Sequence, residues 1–256
     1  MSDSKYDSDM SEILIEQIDQ VLHISLNRPE KKNAITQGMY STLASTLNNA
    51  AGDFGIRTVV ISGNGKAFTA GNDIMDFMNE EITLSSPVFH FLKALHDFPK
   101  PLIAAVQGNA VGIGTTMLLH CDLVFAAPDA IFQMPFVTLG LVPEAGSSIL
   151  FPRLVGHAKA SEIFLTGRSF GAPESLTMGL INSIDDSPLE SAMTTAAMIA
   201  KQPPNAVLNT KALLKSGSHI AIENVMLAEG EMFRIALQSD ETQAAFMTFM
   251  TSRAKG

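Results

Sequence analysis

Cysteine and positive charge are both scarce in this chain, and each shortage excludes classes of function. Cys121 is the single cysteine among 256 residues, which excludes an internal disulfide and a zinc site built from several thiolates. The 17 lysines and arginines are outnumbered by 26 aspartates and glutamates, so the net charge is −9. Because the basic residues form no run, binding to a nucleic-acid backbone is disfavoured, and we expect no nucleic-acid partner.

Long apolar runs and metal-ligand spacings are absent as well. No apolar stretch approaches the roughly 20 residues that a bilayer span requires, so we expect no membrane partner. The six histidines show neither HxxxH nor HxH spacing, and the sequence therefore predicts no metal site. Hydrophobic residues make up 46% of the chain, an ordinary fraction for a globular protein with a sizeable core.

The two ends of the sequence carry expectations about order and location. Residues 1–11 are acidic and polar, unlike a signal or transit peptide, and are predicted to form a disordered tail. The final Arg253-Ala254-Lys255-Gly256 differs from a Ser-Lys-Leu-type peroxisomal address. Together with the single cysteine, these features lead us to expect a cytoplasmic protein.

The hydrophobic pattern predicts strands alternating with helices over residues 12–140, followed by a helix-rich end. A hairpin is predicted around Asp19-Gln20, and a helix from an N-cap at Thr36 to about Ala51. From about residue 146 onward, nearly everything reads as helix except a short strand at 180–184. This order predicts an α/β fold with parallel strand pairing, and Pro203-Pro204 marks the start of a helical C-terminal region, residues 201–256.

Two glycine-containing segments carry the clearest chemical signal. The first segment spans residues 63–74 and the second spans residues 108–114; each follows a β-branched apolar run and opens into a predicted helix. Strand-to-helix junctions built from small residues can direct two free backbone N–H groups at one oxygen. Such a pair can hold an anion that forms during a reaction, which favours enolate chemistry.

Four motifs in order give the chain a resemblance to the crotonase (enoyl-CoA hydratase/isomerase) superfamily. They are Asn27 to Ile35, Ala67 to Ile74, Gly108 to Gly114, and Cys121-Asp122-Leu123. The resemblance implies a spiral of ββα turns over residues 12–200 and a helical C-terminal trimerisation region. It also implies acyl-CoA thioester substrates, a homotrimer or hexamer, and no cofactor beyond the CoA of the substrate.

The same resemblance implies roles for individual residues. The N–H groups of Asn72 and Ile113 correspond to the family's oxyanion hole, and Arg28, Lys31 and Ala34 to its hook for CoA. Further substrate contacts are implied at Ala70, Gly71, Asp73, Ile74, Gly114, Thr116 and Phe136. Two simpler interpretations stay open, since Lys31 also fits an ordinary surface lysine and Asp73 also fits a helix cap.

The chain departs from the hydratase pattern at two positions. Family hydratases place two glutamates around the substrate to position and deprotonate a water, and this chain has Thr116 and Phe136 there. Phenylalanine neither titrates nor hydrogen-bonds a water, and threonine is a poor base. The sequence therefore predicts that hydration is not the efficient reaction.

One carboxylate remains in this neighbourhood, Glu144, at a position where hydratases tend to have glycine. In Δ3,Δ2-enoyl-CoA isomerases of the peroxisomal type, and in similar bacterial isomerases, this position carries the sole catalytic acid. The resemblance thus implies that the chain moves a double bond from the 3- to the 2-position of an acyl-CoA. The simpler interpretation is that Glu144 begins the helix near residues 146–153, where the helix dipole favours an acid.

Other functions are also compatible with the sequence. The chain could perform hydration or another crotonase reaction, with Thr116 or a residue of the C-terminal helices assisting. It could also bind acyl-CoA without catalysis. The C-terminal helices carry many apolar residues, which pack either on the chain's own core or against another subunit.

Overall fold

The computed structural model describes residues 11–79 and 82–253. The predicted tail therefore lies outside the described residues except for Ser11, whose carbonyl accepts a hydrogen bond from Asn27 Nδ2 at 2.8 Å. In the described part of the chain, no helix combines the length and apolar character needed to cross a bilayer.

A six-stranded sheet forms the centre of the fold. Its strands lie in the order β1-β2-β3-β4-β6-β9, and all neighbouring pairs are parallel except the β1–β2 pair. The predicted hairpin is confirmed, because β1 and β2 pair antiparallel across Asp19-Gln20. The strands are β1 Ile13–Ile18, β2 Val21–Leu26, β3 Thr58–Gly63, β4 Leu102–Val106, β6 Leu123–Ala126 and β9 Ser183–Ile184.

A second sheet of three short strands lies beside the functional segments. It consists of β5 Asn109–Val111, β7 Ile131–Gln133 and β8 Ser169–Gly171, in the order β5-β7-β8. The prediction of a single strand after residue 146 was wrong, because β8 pairs antiparallel with β7. A three-residue strand is too short to show a period of two, so periodicity does not reveal β5 or β8.

Eleven helices are found among the described residues. The N-cap predicted at Thr36 is confirmed, since Thr36 Oγ1 accepts a hydrogen bond from the Met39 N–H at 3.2 Å. The helix predicted to follow the second glycine segment forms as a short α-helix, Ile113–Thr116, followed by the 3₁₀ turn Met117–His120. The helices are α1 Gln37–Gly52, α2 Ile74–Asn79, α3 Pro87–Asp97, α4 Ile113–Thr116, α5 Ser147–Val155, α6 His157–Thr166, α7 Ala172–Met178, α8 Pro188–Ala200, α9 Pro204–Ser216, α10 His219–Leu237 and α11 Asp240–Arg253.

The central sheet is buried on both faces, which explains the uninterrupted apolar runs of β3 and β4. Val59 and Ile61 point into the main core, while Val60 joins a smaller cluster on the opposite face. Helix α8 covers that second face with Ala192, Ala196 and Ala200. Phe233 and Phe246 of the C-terminal helices also belong to the main core.

Asn33 ties the loop after β2 to the first glycine segment. Its side chain is fully buried, and Nδ2 donates to the carbonyls of Asn64 at 2.9 Å and Ala67 at 2.8 Å. Its Oδ1 accepts from the Arg28 N–H at 2.8 Å. One side chain therefore satisfies several buried main-chain groups and holds the loop after β2 next to the first glycine segment.

We expect Asn33→Ala to lower the free energy of unfolding by about 2–4 kcal/mol, because it leaves buried main-chain groups without partners. Asn33 also has a left-handed backbone with φ of 55°, which alanine tolerates poorly. Urea unfolding measures the loss, with Asn48→Ala on the exposed face of α1 as control. A loss equal to that of the control would contradict this role.

Candidate active site

The two glycine segments run side by side. The Thr69 N–H donates to the Asn109 carbonyl at 3.0 Å, and the Val111 N–H donates back to the Thr69 carbonyl at 3.1 Å. Gly71 permits this contact, because its φ is +88° and a Cβ there would lie 2.8 Å from the Val111 carbonyl oxygen. Any larger residue would push the segments apart.

This pairing brings Asn72 and Ile113 to the wall of one cavity. Within the described residues, neither backbone N–H has a hydrogen-bond acceptor. The side chain of Asn72 is engaged separately, since its Oδ1 accepts from the hydroxyl of the fully buried Tyr40. Two unsatisfied main-chain donors at one cavity are the arrangement that an oxyanion hole requires.

The cavity has a volume of about 290 Å³ and is largely apolar. Phe136 lies in its wall, and α2, α10 and α11 contribute Phe77, Phe233, Leu237 and Phe246. None of the described residues that line it is acidic. A shape and polarity of this kind suit a hydrocarbon chain.

A second, more polar groove of about 430 Å³ adjoins the cavity. The two spaces share four residues, Lys32, Ala70, Asn72 and Ile74. The groove also contains Lys31, Ala34 and Asp73, so most positions implied for CoA binding lie together. Lys31 and Lys32 are both exposed there and offer positive charge on an otherwise acidic protein.

Arg28 and Asp73 are engaged with the protein itself. The Arg28 guanidinium contacts Glu12 at 2.8 Å and Asp73 at 3.1 Å, and it donates to the Ala34 carbonyl at 2.7 Å. Asp73 Oδ1 also accepts from the Met75 N–H at 3.2 Å, so it caps the start of α2. Both side chains therefore hold the groove's wall in place.

Glu144 is a buried carboxyl, 6% exposed. Thr116 Oγ1 donates to its Oε1 at 2.5 Å. Burial raises the pKa of Glu144 from 4.5 to about 8; the Thr116 hydrogen bond opposes this rise and the charge of Glu229 adds to it. A carboxyl with a pKa near neutrality can both accept and return a proton under physiological conditions.

Glu144 does not cap α5. The N–H groups of Gly146 and Ser148 donate instead to Glu229 of α10, at 2.6 and 2.9 Å. The simpler interpretation of Glu144, as the acid that begins this helix, therefore loses its structural basis. Its carboxyl is directed to Thr116.

Neither Thr116 nor Glu144 is among the described residues that line the cavity. Leu141, three residues before Glu144, lines the cavity, and so does Ile113, one helical turn before Thr116. The carboxyl is thus connected through Thr116 to the short helix that begins with Ile113, whose N–H is one of the two donors at the cavity wall. Gly114 also does not line the cavity, and a Cβ there would lie 2.4 Å from the Thr69 side chain.

Several residues of the site were not predicted from the sequence. Tyr40 holds the Asn72 side chain, and Glu229 holds the turn after Glu144. The apolar residues of α10 and α11 were noticeable in the sequence, but no pattern assigned them to the cavity. All of these contacts join segments far apart in the chain.

One group of possible metal ligands occurs among the described residues, away from the cavity. His96, Asp97 and His219 place ligand atoms within 4.8 Å of one another. The two imidazoles are stacked at 4.1 Å with an interplanar angle of 14°, so their in-plane lone pairs run nearly parallel and do not converge on one ion. Asp97 is also paired with Lys93 at 2.8 Å.

Comparison with known proteins places this geometry in a family. Residues 16–255 match the family model described as enoyl-CoA hydratase/isomerase. The structure of OdaA from Pseudomonas aeruginosa superposes with a TM-score of 0.91 and 43% identity, covering 93% of this chain and 98% of that one. The chain therefore belongs to the enoyl-CoA hydratase/isomerase (crotonase) superfamily and has its mixed α/β fold.

Two curated relatives differ in the reaction that their names state. Enoyl-CoA delta isomerase 2 of Rattus norvegicus is 36% identical over 252 residues, which are 95% of this chain and 64% of that protein. The chain thus spans under two thirds of the rat relative's length. The 2,3-dehydroadipyl-CoA hydratase of Escherichia coli (strain K12) is 32% identical over 248 residues, 95% of this chain and 97% of that protein. The chain is accordingly a crotonase-family enzyme, an isomerase or a hydratase.

The raised pKa of Glu144 gives stability a specific pH dependence. Because its folded-state pKa lies above the unfolded value, the carboxyl's contribution to folding is lost as pH rises from 4.5 to about 8. At about 1.4 kcal/mol per pKa unit, the loss amounts to a few kcal/mol. Glutamine does not titrate. The melting temperature of Glu144→Gln, relative to that of the parent, should therefore rise as the pH increases from about 5 to about 9. A difference that stays constant with pH would contradict the burial of this charge.

Proposed function

We propose that this protein is a Δ3,Δ2-enoyl-CoA isomerase in which Glu144 is the single acid–base group. The observation that carries the proposal is one buried carboxyl, with its pKa raised to about 8, hydrogen-bonded to Thr116 in the helix that begins at Ile113. Within the described residues, the backbone N–H groups of Ile113 and Asn72 lack acceptors. A proton-transfer group and an oxyanion hole are the two components that enolate chemistry requires.

In the proposed reaction, the Glu144 carboxylate removes a proton from C2 of a 3-enoyl thioester. The electron pair of the broken C2–H bond moves towards the carbonyl, and the negative charge on the thioester oxygen is bound by the N–H groups of Asn72 and Ile113. The protonated Glu144 then donates to C4 as the double bond forms between C2 and C3. One C–H bond breaks and one forms, so no water is consumed.

Thr116 and Phe136 favour this reaction over hydration. Thr116 donates its hydroxyl to Glu144 and so serves to orient that carboxyl. Phe136 gives the cavity an apolar wall where a second carboxylate would have to hold water. Neither side chain can act as the second acid–base group that hydration uses.

The adjoining groove supports an acyl-CoA as substrate, with CoA in the groove and the acyl chain in the cavity. Lys31 and Lys32 are placed to meet phosphate groups. We further propose a homotrimer or hexamer, because the C-terminal helices leave large apolar side chains exposed, among them Leu213 at 75%, Leu214 at 80% and Ile220 at 72%. No cofactor apart from the substrate's own CoA is required.

We expect Glu144→Gln to lower kcat for conversion of 3-hexenoyl-CoA to 2-hexenoyl-CoA by about 10²–10⁴-fold, the usual contribution of a positioned base. Absorbance of the conjugated product measures the rate, and calorimetric titration with a saturated acyl-CoA shows whether binding is kept.

Glu190→Gln, an exposed glutamate on α8, is the matched control and should leave kcat unchanged. Near-normal turnover by Glu144→Gln would overturn the assignment of this residue.

The second candidate function is hydration, because the E. coli relative is named as a hydratase. Parallel assays should show isomerisation of 3-hexenoyl-CoA faster than hydration of crotonyl-CoA by about 10²-fold or more, since hydration lacks one positioned acid–base group. Faster hydration would favour the second candidate. Binding of acyl-CoA without exchange of the C2 proton in D₂O would identify a non-catalytic homologue.

A further inference from the structure

We propose that Glu229 is a positioning residue that holds the turn carrying Glu144 against the cavity from the C-terminal helix α10. This inference rests on the proposed function, because it assigns Glu229 a role in the reaction of Glu144. Glu229 does not line the cavity, and its action would be exerted through the turn at residues 144–148.

Glu229 binds the turn through both oxygens of its buried carboxyl group. Glu229 is 7% exposed, and its two oxygens accept from the Gly146 and Ser148 N–H groups at 2.6 and 2.9 Å. These N–H groups lie at the start of α5, where the N-cap position is Gly146 and has no side chain of its own. The cap therefore comes from a helix more than 80 residues further along the chain.

The turn needs such an anchor because its backbone is strained. Ala145 has a φ of 60°, a left-handed conformation that residues with a Cβ rarely adopt. On the other side, His120 Nε2 donates to the Ala145 carbonyl at 2.7 Å. The Ala145–Gly146 peptide group is thus bound at both polar atoms, its carbonyl by His120 and its N–H by Glu229.

Helix α10 connects this anchor to the acyl chain. Glu229, Phe233 and Leu237 follow one another at intervals of four residues and share one face of the helix. Phe233 and Leu237 line the cavity, while Glu229 holds the turn. The same helix face would therefore set both the acyl wall and the position of the base.

A charged cap is a costly choice if helix stability were the only requirement. A serine or threonine cap stabilises a helix start by a similar amount without burying a carboxylate.

The groups that interact with Glu144 from the surrounding elements are Tyr40 of α1, Thr116 of α4 and Glu229 of α10. Burial raises the pKa of Tyr40 and lowers that of His120 to about 3, so both are neutral near pH 8. Burial raises the pKa of Glu229 as well, and when ionised Glu229 is the neighbouring charge that raises the proton affinity of Glu144.

The test compares Glu229→Gln and Glu229→Asp with the parent in the isomerisation assay over a range of pH. Glu229→Gln loses the charge and one acceptor, so kcat should fall by about 10²-fold, as for a misplaced catalytic group, while KM changes less. Removal of the negative charge should also move the acid limb of kcat/KM to lower pH. Glu229→Asp keeps the charge but is one methylene shorter, so kcat should fall without that shift.

Glu231→Gln, an exposed glutamate on the same helix, is the control for loss of one negative charge. An unchanged kcat and pH profile in Glu229→Gln would overturn the inference, even if its melting temperature fell, because a purely structural cap predicts that result. If Glu229→Gln does not fold, an unchanged kcat in Glu229→Asp overturns it equally. Glu144→Gln measured alongside separates the two proposals, since only its retention of activity contradicts the proposed function.

Discussion

The central constraint on this site is the burial of one carboxyl group, Glu144. Water stabilises a carboxylate far better than a protein interior does, so a buried carboxyl keeps its proton to higher pH. Thr116 supplies a single hydrogen bond, which compensates only part of that effect. The group is consequently balanced between its two protonation states close to neutral pH, as the proposed role of a base that later acts as an acid requires.

The backbone around this carboxyl meets a matching requirement. The two glycine segments pair with each other through Thr69, and among the described residues the Asn72 and Ile113 N–H groups next to this pairing have no acceptor. An unsatisfied buried N–H is costly in a folded protein. The cost is understandable if a ligand oxygen satisfies both groups, which is the role we propose for this corner of the cavity.

Local features of this fold could be predicted from the sequence, because neighbouring residues determine them. The hairpin at Asp19-Gln20, the Thr36 cap and the two glycine segments are of this kind. The three-residue strands β5 and β8 were missed, since their pairing partners and not their own periodicity create them.

In the candidate site, too, the sequence indicates some residues and gives no signal for others that act through long-range contacts. The resemblance pointed to Glu144, but neither Tyr40 behind Asn72 nor Glu229 behind the Glu144 turn had a sequence signal. Arg28 was expected to hook CoA, and the structure engages it with Asp73, 45 residues away, and with Glu12. Long-range contacts of this type depend on the packing of whole helices and strands, which no local pattern records.

The most direct measurement of the central claim is a crystal structure of the protein with a bound saturated acyl-CoA of six carbons. The account predicts a thioester oxygen about 2.7–3.1 Å from the Asn72 and Ile113 nitrogens. It also predicts a Glu144 carboxyl oxygen within about 3.5 Å of C2 and facing C4. A complex in which the acyl chain fills the cavity while the Glu144 carboxyl stays out of reach of C2 would contradict it.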